Sequence, residues 1–129
     1  MTSSRKKNMP PLLLIEDDAS VRRGLQLMLQ GAGYQVIAFA SAAAALADPV
    51  SVEATHLVVD YSMPYCDGIE SLRTLQERGW DGVAVLITAH FSESLRSEAI
   101  SAGFVEVLPK PFRDDVLLEE LARVVEPIV

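Results

Sequence analysis

The sequence predicts an α/β fold in which a five-stranded parallel sheet is doubly wound, with helices on both faces. Two observations point there. Five short apolar runs alternate with five amphipathic segments, with no repeat and no long linker, and such alternation is the pattern of parallel strands joined by crossover helices. Three of the runs, Leu12–Ile15, Leu57–Val59 and Val83–Ile87, are almost uninterruptedly apolar, as strands covered on both faces must be.

The elements follow in order. Leu12–Ile15 is the first strand, and Asp18 then opens a helix whose apolar face is Val21, Leu25, Met28 and Leu29. Gly33 stops it. The second strand, Tyr34–Phe39, contains Gln35, so it belongs at an edge of the sheet. Ser41 starts a short alanine-rich helix, roughly Ala42–Ala47, that ends at Asp48-Pro49. Leu57–Val59 is the third strand; Asp67, with Glu70 at capping-box spacing, opens the next helix and Gly79 closes it. After Val83–Ile87, Ser92 and Gly103 bracket the fourth helix. The last strand, Phe104–Leu108, carries Glu106 and so takes the other edge, before a helix with Leu117, Leu121, Val124 and Ile128 on one face. With strands 2 and 5 outside, the strand order is 2-1-3-4-5.

The bulk of the chain narrows the function. Its 129 residues, half of them hydrophobic, suit a single domain with one tail: residues 1–10 read as a flexible basic segment and 11–129 as the folded domain. Met1–Asn8 has no apolar region behind it and no run of about eighteen apolar residues exists, so neither a signal peptide nor a membrane span is expected and the cytoplasm is the default. A formal net charge of −7 argues against direct binding to nucleic acid or anionic membrane. The one cysteine, Cys66, offers neither a disulfide nor a zinc motif and reads as a small half-buried side chain.

The chemistry should lie where the runs end. Glu16 and Asp17 follow strand 1, Asp60 strand 3, Thr88 strand 4 and Lys110 strand 5. In an open parallel sheet these carboxyl ends share one edge, with a crevice between strands 1 and 3. Three carboxylates converging there resist full ionisation and need a cation, and an all-oxygen donor set favours Mg²⁺ over zinc. Lys110 would add a mobile positive charge, and the Thr88 hydroxyl a hydrogen bond to a phosphoryl oxygen. That set suits phosphoryl transfer to a carboxylate nucleophile. Each part alone has an ordinary reading: Asp18 as a helix cap, Asp60 as a turn residue, Thr88 as strand-end bonding, Lys110 as a solvated lysine, and His90 and His56 as exposed and inert.

From about Pro11 to Val125 the sequence resembles the receiver domains of bacterial response regulators. The resemblance rests on Ile15-Glu16-Asp17-Asp18, on Val59-Asp60-Tyr61-Ser62-Met63-Pro64 followed by Asp67-Gly68, on Thr88-Ala89 and on Lys110-Pro111-Phe112. It implies a flavodoxin-like fold, and phosphorylation of Asp60 from a phosphohistidine of a sensor histidine kinase or phosphotransfer protein. It also implies Mg²⁺ among Glu16, Asp17, Asp60 and the Ser62 carbonyl, contacts from Thr88 and Lys110 to the phosphoryl group, and a cis Lys110-Pro111 bond. Phosphorylation would reshape the face of helix 4, strand 5 and helix 5, which is also a candidate self-association surface. Such a domain catalyses only its own phosphorylation and slow dephosphorylation.

Val107 stands where the family usually carries an aromatic that moves with the threonine, and Phe104 where a small residue is usual. Three other readings are weaker. A phosphohydrolase with an aspartyl-phosphate intermediate needs a second acid where Ser62 stands, and the chain has no room for a cap domain. A fold-only binding domain would not retain every motif residue. Gly31-Ala32-Gly33 precedes a strand, whereas a phosphate-binding loop follows one. The chain's end near the last helix leaves open whether this is a complete regulator or the receiver of a longer one.

Overall fold

In the computed structural model, which describes residues 9–123, five parallel strands form one sheet in the order β2-β1-β3-β4-β5. They are β1 (Pro11–Ile15), β2 (Gln35–Phe39), β3 (His56–Asp60), β4 (Val83–Thr88) and β5 (Glu106–Pro109). Between and after them run α1 (Ala19–Gly31), α2 (Ala42–Ala47), α3 (Gly68–Glu77), α4 (Glu93–Ala102) and α5 (Asp114–Leu121). A 3₁₀ helix, Pro49–Glu53, extends the connection after α2 and was not expected. Most of the expected tail, residues 1–8, lies outside the described residues, as do Val124 and Ile128 of the last predicted helix face.

Alternation along the strands sorts the core into two layers. Leu13, Ile15, Leu57, Val59, Ala84, Leu86 and Val107 face one side, where Ala45 of α2, Leu72 and Leu75 of α3, and Leu95 and Ala99 of α4 cover them. Leu12, Leu14, Val58, Val85, Ile87 and Leu108 face the other, against Leu25 and Leu29 of α1 and Leu117 and Leu121 of α5. Helices on both faces make the sheet doubly wound.

The helix starts match the capping residues. Asp18, Ser41, Asp67 and Ser92 each accept a hydrogen bond from the amide three residues on, at 2.9–3.1 Å, which satisfies amides that helix geometry leaves without a partner. At the far ends Gly33, Gly79 and Gly103 adopt positive φ, of 103°, 93° and 120°, where glycine alone avoids a steric penalty.

Register sets the site. Ile15 pairs with Val59 and Asp60 with Ile87, so Glu16, one residue past Ile15, stands level with Asp60. Thr88 pairs with Pro109, the residue before Lys110. Glu16, Asp60, Thr88 and Lys110 thereby reach the carboxyl edge.

Candidate functional site

Glu16, Asp17 and Asp60 each bring a carboxylate oxygen within 4.8 Å of the others. Their surroundings differ. Glu16 is fully buried and Asp60 is 5% exposed, whereas Asp17 lies open at the mouth. Lys110 reaches across from β5, with Nζ 2.6 Å from Glu16 Oε1 and 3.3 Å from Asp60 Oδ1. The lysine expected to be mobile is therefore half-buried and anchored, because the carboxylates it would neutralise are already within contact distance.

Glu16 is held at every polar atom. Its amide donates to the Phe39 carbonyl, its carbonyl accepts from Arg22 Nη1 at 2.9 Å, and its second carboxylate oxygen accepts from the Asp18 amide at 3.1 Å. Thr88 is fully buried, and its Oγ1 accepts from the His90 amide at 3.0 Å. A hydroxyl used as acceptor in this way keeps its proton for a ligand. The Lys110–Pro111 peptide bond is cis.

The electrostatics follow from burial. Desolvation pushes the Glu16 carboxyl above its ordinary range, against the hydrogen bonds from Lys110 and the Asp18 amide. Desolvation likewise raises Asp60, with the negative charge of Asp17 adding to it and Lys110 opposing. Burial alone would pull Lys110 down, but its hydrogen bond to Glu16 and the charges of Asp60 and Glu16 together hold it above the usual lysine value. Three carboxylates against one ammonium leave net negative charge in a poorly solvated crevice, which is a setting that a hard cation relieves. The donor set, all oxygen, fits Mg²⁺.

Gly68 explains the Asp67-Gly68 pair. A Cβ there would stand 2.8 Å from the Asp60 carbonyl and 2.5 Å from a Leu86 methyl, so the start of α3 can lie against the end of β3 only without a side chain. Ser62 sits exposed in the loop after β3. Phe104 and Val107 are both buried, at 3% each, in one cluster with Leu86, Leu95 and Ala99, so the ring beneath α4 comes from position 104.

Two contributors escaped the sequence reading. Arg22 reaches back from α1 to the loop that carries both acids; a cation in the first turn of a helix, against the macrodipole, was the available signal. His56, expected to be exposed and inert, is half-buried and bonded through both ring nitrogens, at 2.8 Å to Thr55 Oγ1 and 3.0 Å to the Leu121 carbonyl. His90 is exposed, as expected, and Cys66 half-buried.

Known proteins resemble this chain in sequence and in fold. Residues 12–122 match the family model of the response regulator receiver domain. The chain is 35% identical over 116 residues to the transcriptional regulatory protein FixJ of Rhizobium meliloti, covering 90% of this chain and 57% of that protein. It is 33% identical over 117 residues to the C4-dicarboxylate transport transcriptional regulatory protein DctD of the same organism, covering 91% and 25%. The structure of the chemotaxis protein CheY4 of Vibrio cholerae superposes with a TM-score of 0.82 at 28% identity, over 91% of this chain and 99% of that one.

The chain belongs to the response regulator receiver family of two-component signalling, whose members work with histidine kinases or phosphotransfer proteins. It spans little more than half the length of FixJ and a quarter of DctD. No helix among the described residues is long and apolar enough to cross a membrane.

Proposed function

We propose that Asp60 is the phosphoacceptor of a signalling switch. The observation that carries this reading is a buried aspartate at the carboxyl edge, raised in pKa by burial and flanked by Lys110, Glu16 and Asp17. An Asp60 carboxylate oxygen forms a bond to phosphorus as the N–P bond of a donor phosphohistidine breaks, and that bond's electron pair returns to the imidazole. Lys110 holds the ammonium beside the transferred oxygens, and the Thr88 hydroxyl donates a hydrogen bond to one of them. Catalysis in this class is mainly positioning and charge neutralisation.

Glu16, Asp17, Asp60 and the Ser62 main-chain carbonyl would hold Mg²⁺, which when bound neutralises charge on the carboxylates and the phosphoryl oxygens. Residues 11–129 form the receiver and 1–10 its tail. The phosphoryl group, which brings about −1.5 to −2 charge and three acceptor oxygens in place of the carboxylate's single charge, draws Thr88 and Lys110 inward and alters the α4, β5 and α5 face to control an output partner or domain, or self-association. The reaction ends on the protein itself, so the domain is a phosphorelay receiver that catalyses only its own phosphorylation and slow dephosphorylation. It acts in the cytoplasm.

Incubation with acetyl phosphate and Mg²⁺ tests the reading. One acid-stable, base-labile phosphoryl group should appear per chain, on Asp60, and none on Asp60→Asn. Labelling that survives in the variant refutes the assignment.

A further inference from the structure

Arg22 stands at the end of the first turn of α1, a helix with no acidic residue in that turn. A cation there opposes the helix macrodipole, so its placement costs stability unless the guanidinium is used. Its Nη1 donates to the Glu16 carbonyl at 2.9 Å and lies 3.4 Å from the Asp17 carbonyl. These are the main-chain groups of the two acids that follow β1.

The two acids depend on this contact unequally. Glu16 is also fixed through its amide, by Lys110 and by the Asp18 amide. Asp17 is exposed, and among the described residues its carboxylate accepts no hydrogen bond and no other side chain bonds its carbonyl. What aims Asp17 toward Asp60 is therefore the path of the main chain from Glu16 to the helix cap at Asp18, and Arg22 spans that path from outside.

We propose that Arg22 is a positioning residue that holds the Glu16–Asp17 main chain in the pose from which Asp17 and Asp60 grip a divalent cation together. The inference rests on the phosphoacceptor reading of the site and adds to it a residue that touches neither the phosphoryl group nor the ion. Two roles for Arg22 make opposite predictions. As a bare positive charge near a cation site it would repel the ion, and its removal would tighten binding. As a clamp its removal would loosen the carboxylates and weaken binding, because groups that orient metal ligands set affinity as well as geometry.

The sign of the change decides, and calorimetric titration of the full chain with Mg²⁺ alone reads it without any phosphorylation. Arg22→Met should raise the Mg²⁺ dissociation constant roughly tenfold. Arg22→Lys, which keeps the charge and a donor, should recover part of the loss. Arg23→Met removes the same charge from the neighbouring exposed position and should not weaken binding. Thermal melts of each variant in EDTA confirm that the titrated protein is folded.

An Arg22→Met dissociation constant within twofold of wild type, or below it, overturns the proposal, even if the melting temperature falls, since Arg22 would then be only a brace or a charge. A wild type that binds no Mg²⁺ overturns the metal reading and this proposal together. Binding by wild type that is unchanged in Arg22→Met overturns this one alone.

Discussion

The two edges of the sheet solve the problem of buried polar groups in opposite ways. At the amino edge of the central strands β1, β3 and β4 the buried polar contacts pair neutral groups. Trp80 Nε1 donates to the Ala54 carbonyl at 2.6 Å, Thr55 Oγ1 lies 3.1 Å from the Pro11 carbonyl, and His56 closes onto the end of α5. At the carboxyl edge, 0–5% exposed, Glu16 and Asp60 sit beside Asp17 with one lysine between them. An edge built for stability leaves no such charge imbalance. One that does is poised to bind a cation or an anion and to change when it does so.

Removing the one ammonium should break the balance most severely. Lys110→Met leaves Glu16 fully buried without its partner, and stripping one side of a buried pair is far costlier than the pair's own net contribution. In EDTA at neutral pH the unfolding free energy from urea titration should fall by about 3 kcal/mol. The deficit should shrink on acidification. Both carboxyls are raised above their unfolded values, so the folded state takes up protons first as pH falls, and protonation removes the unpaired charge. Equal stability of variant and wild type in EDTA would show that the edge is not under electrostatic load.

Gly68→Ala tests the same edge without touching charge. The new methyl would press on the Asp60 carbonyl and on Leu86, and overpacking of this kind costs about 1–3 kcal/mol. Because the strain falls on the main chain of Asp60, acetyl phosphate labelling should slow as well. A variant as stable and as rapidly labelled as wild type would mean that α3 shifts freely, and that the glycine has no part in seating Asp60.

These expectations draw on features of unequal legibility. Strand order was readable because Gln35 and Glu106 interrupt otherwise apolar runs, and only edge strands tolerate that. The carboxylate cluster was readable because Glu16, Asp17 and Asp60 close strands that must end together. The 3₁₀ helix at Pro49–Glu53 was not, since one short turn carries no period to detect. The anchoring of Lys110 depends on side-chain reach across two strands, and the demand for Gly68 on how closely α3 approaches β3. Neither distance is encoded in any local pattern. His56 was misread because a lone histidine ahead of a strand says nothing about α5, whose end returns to it 65 residues later.

His56 gives the smallest effect and the sharpest contrast between the edges. A carbonyl only accepts, so Nε2 must carry the proton that goes to Leu121, and in the neutral ring Nδ1 accepts from the Thr55 hydroxyl. If Nδ1 gains a proton, that hydroxyl can turn and donate to the Pro11 carbonyl, 3.1 Å away. Protonation thus leaves no orphaned group, which keeps the effect modest. Burial nonetheless holds the His56 pKa below 6.5, with the Leu121 hydrogen bond opposing. A depressed histidine contributes stability above its unfolded pKa that is lost as pH falls through the folded value. His56→Gln keeps an N–H for Leu121 but cannot titrate, so between pH 7.5 and 5.5 the wild type should lose stability relative to it. Subtracting the two curves cancels the carboxyl edge, where acidification acts in the opposite sense, and labelling of Asp60 at pH 7.5 should be the same in both proteins. A flat difference would show that the ring is not depressed, and slowed labelling in His56→Gln would show that the two edges are coupled.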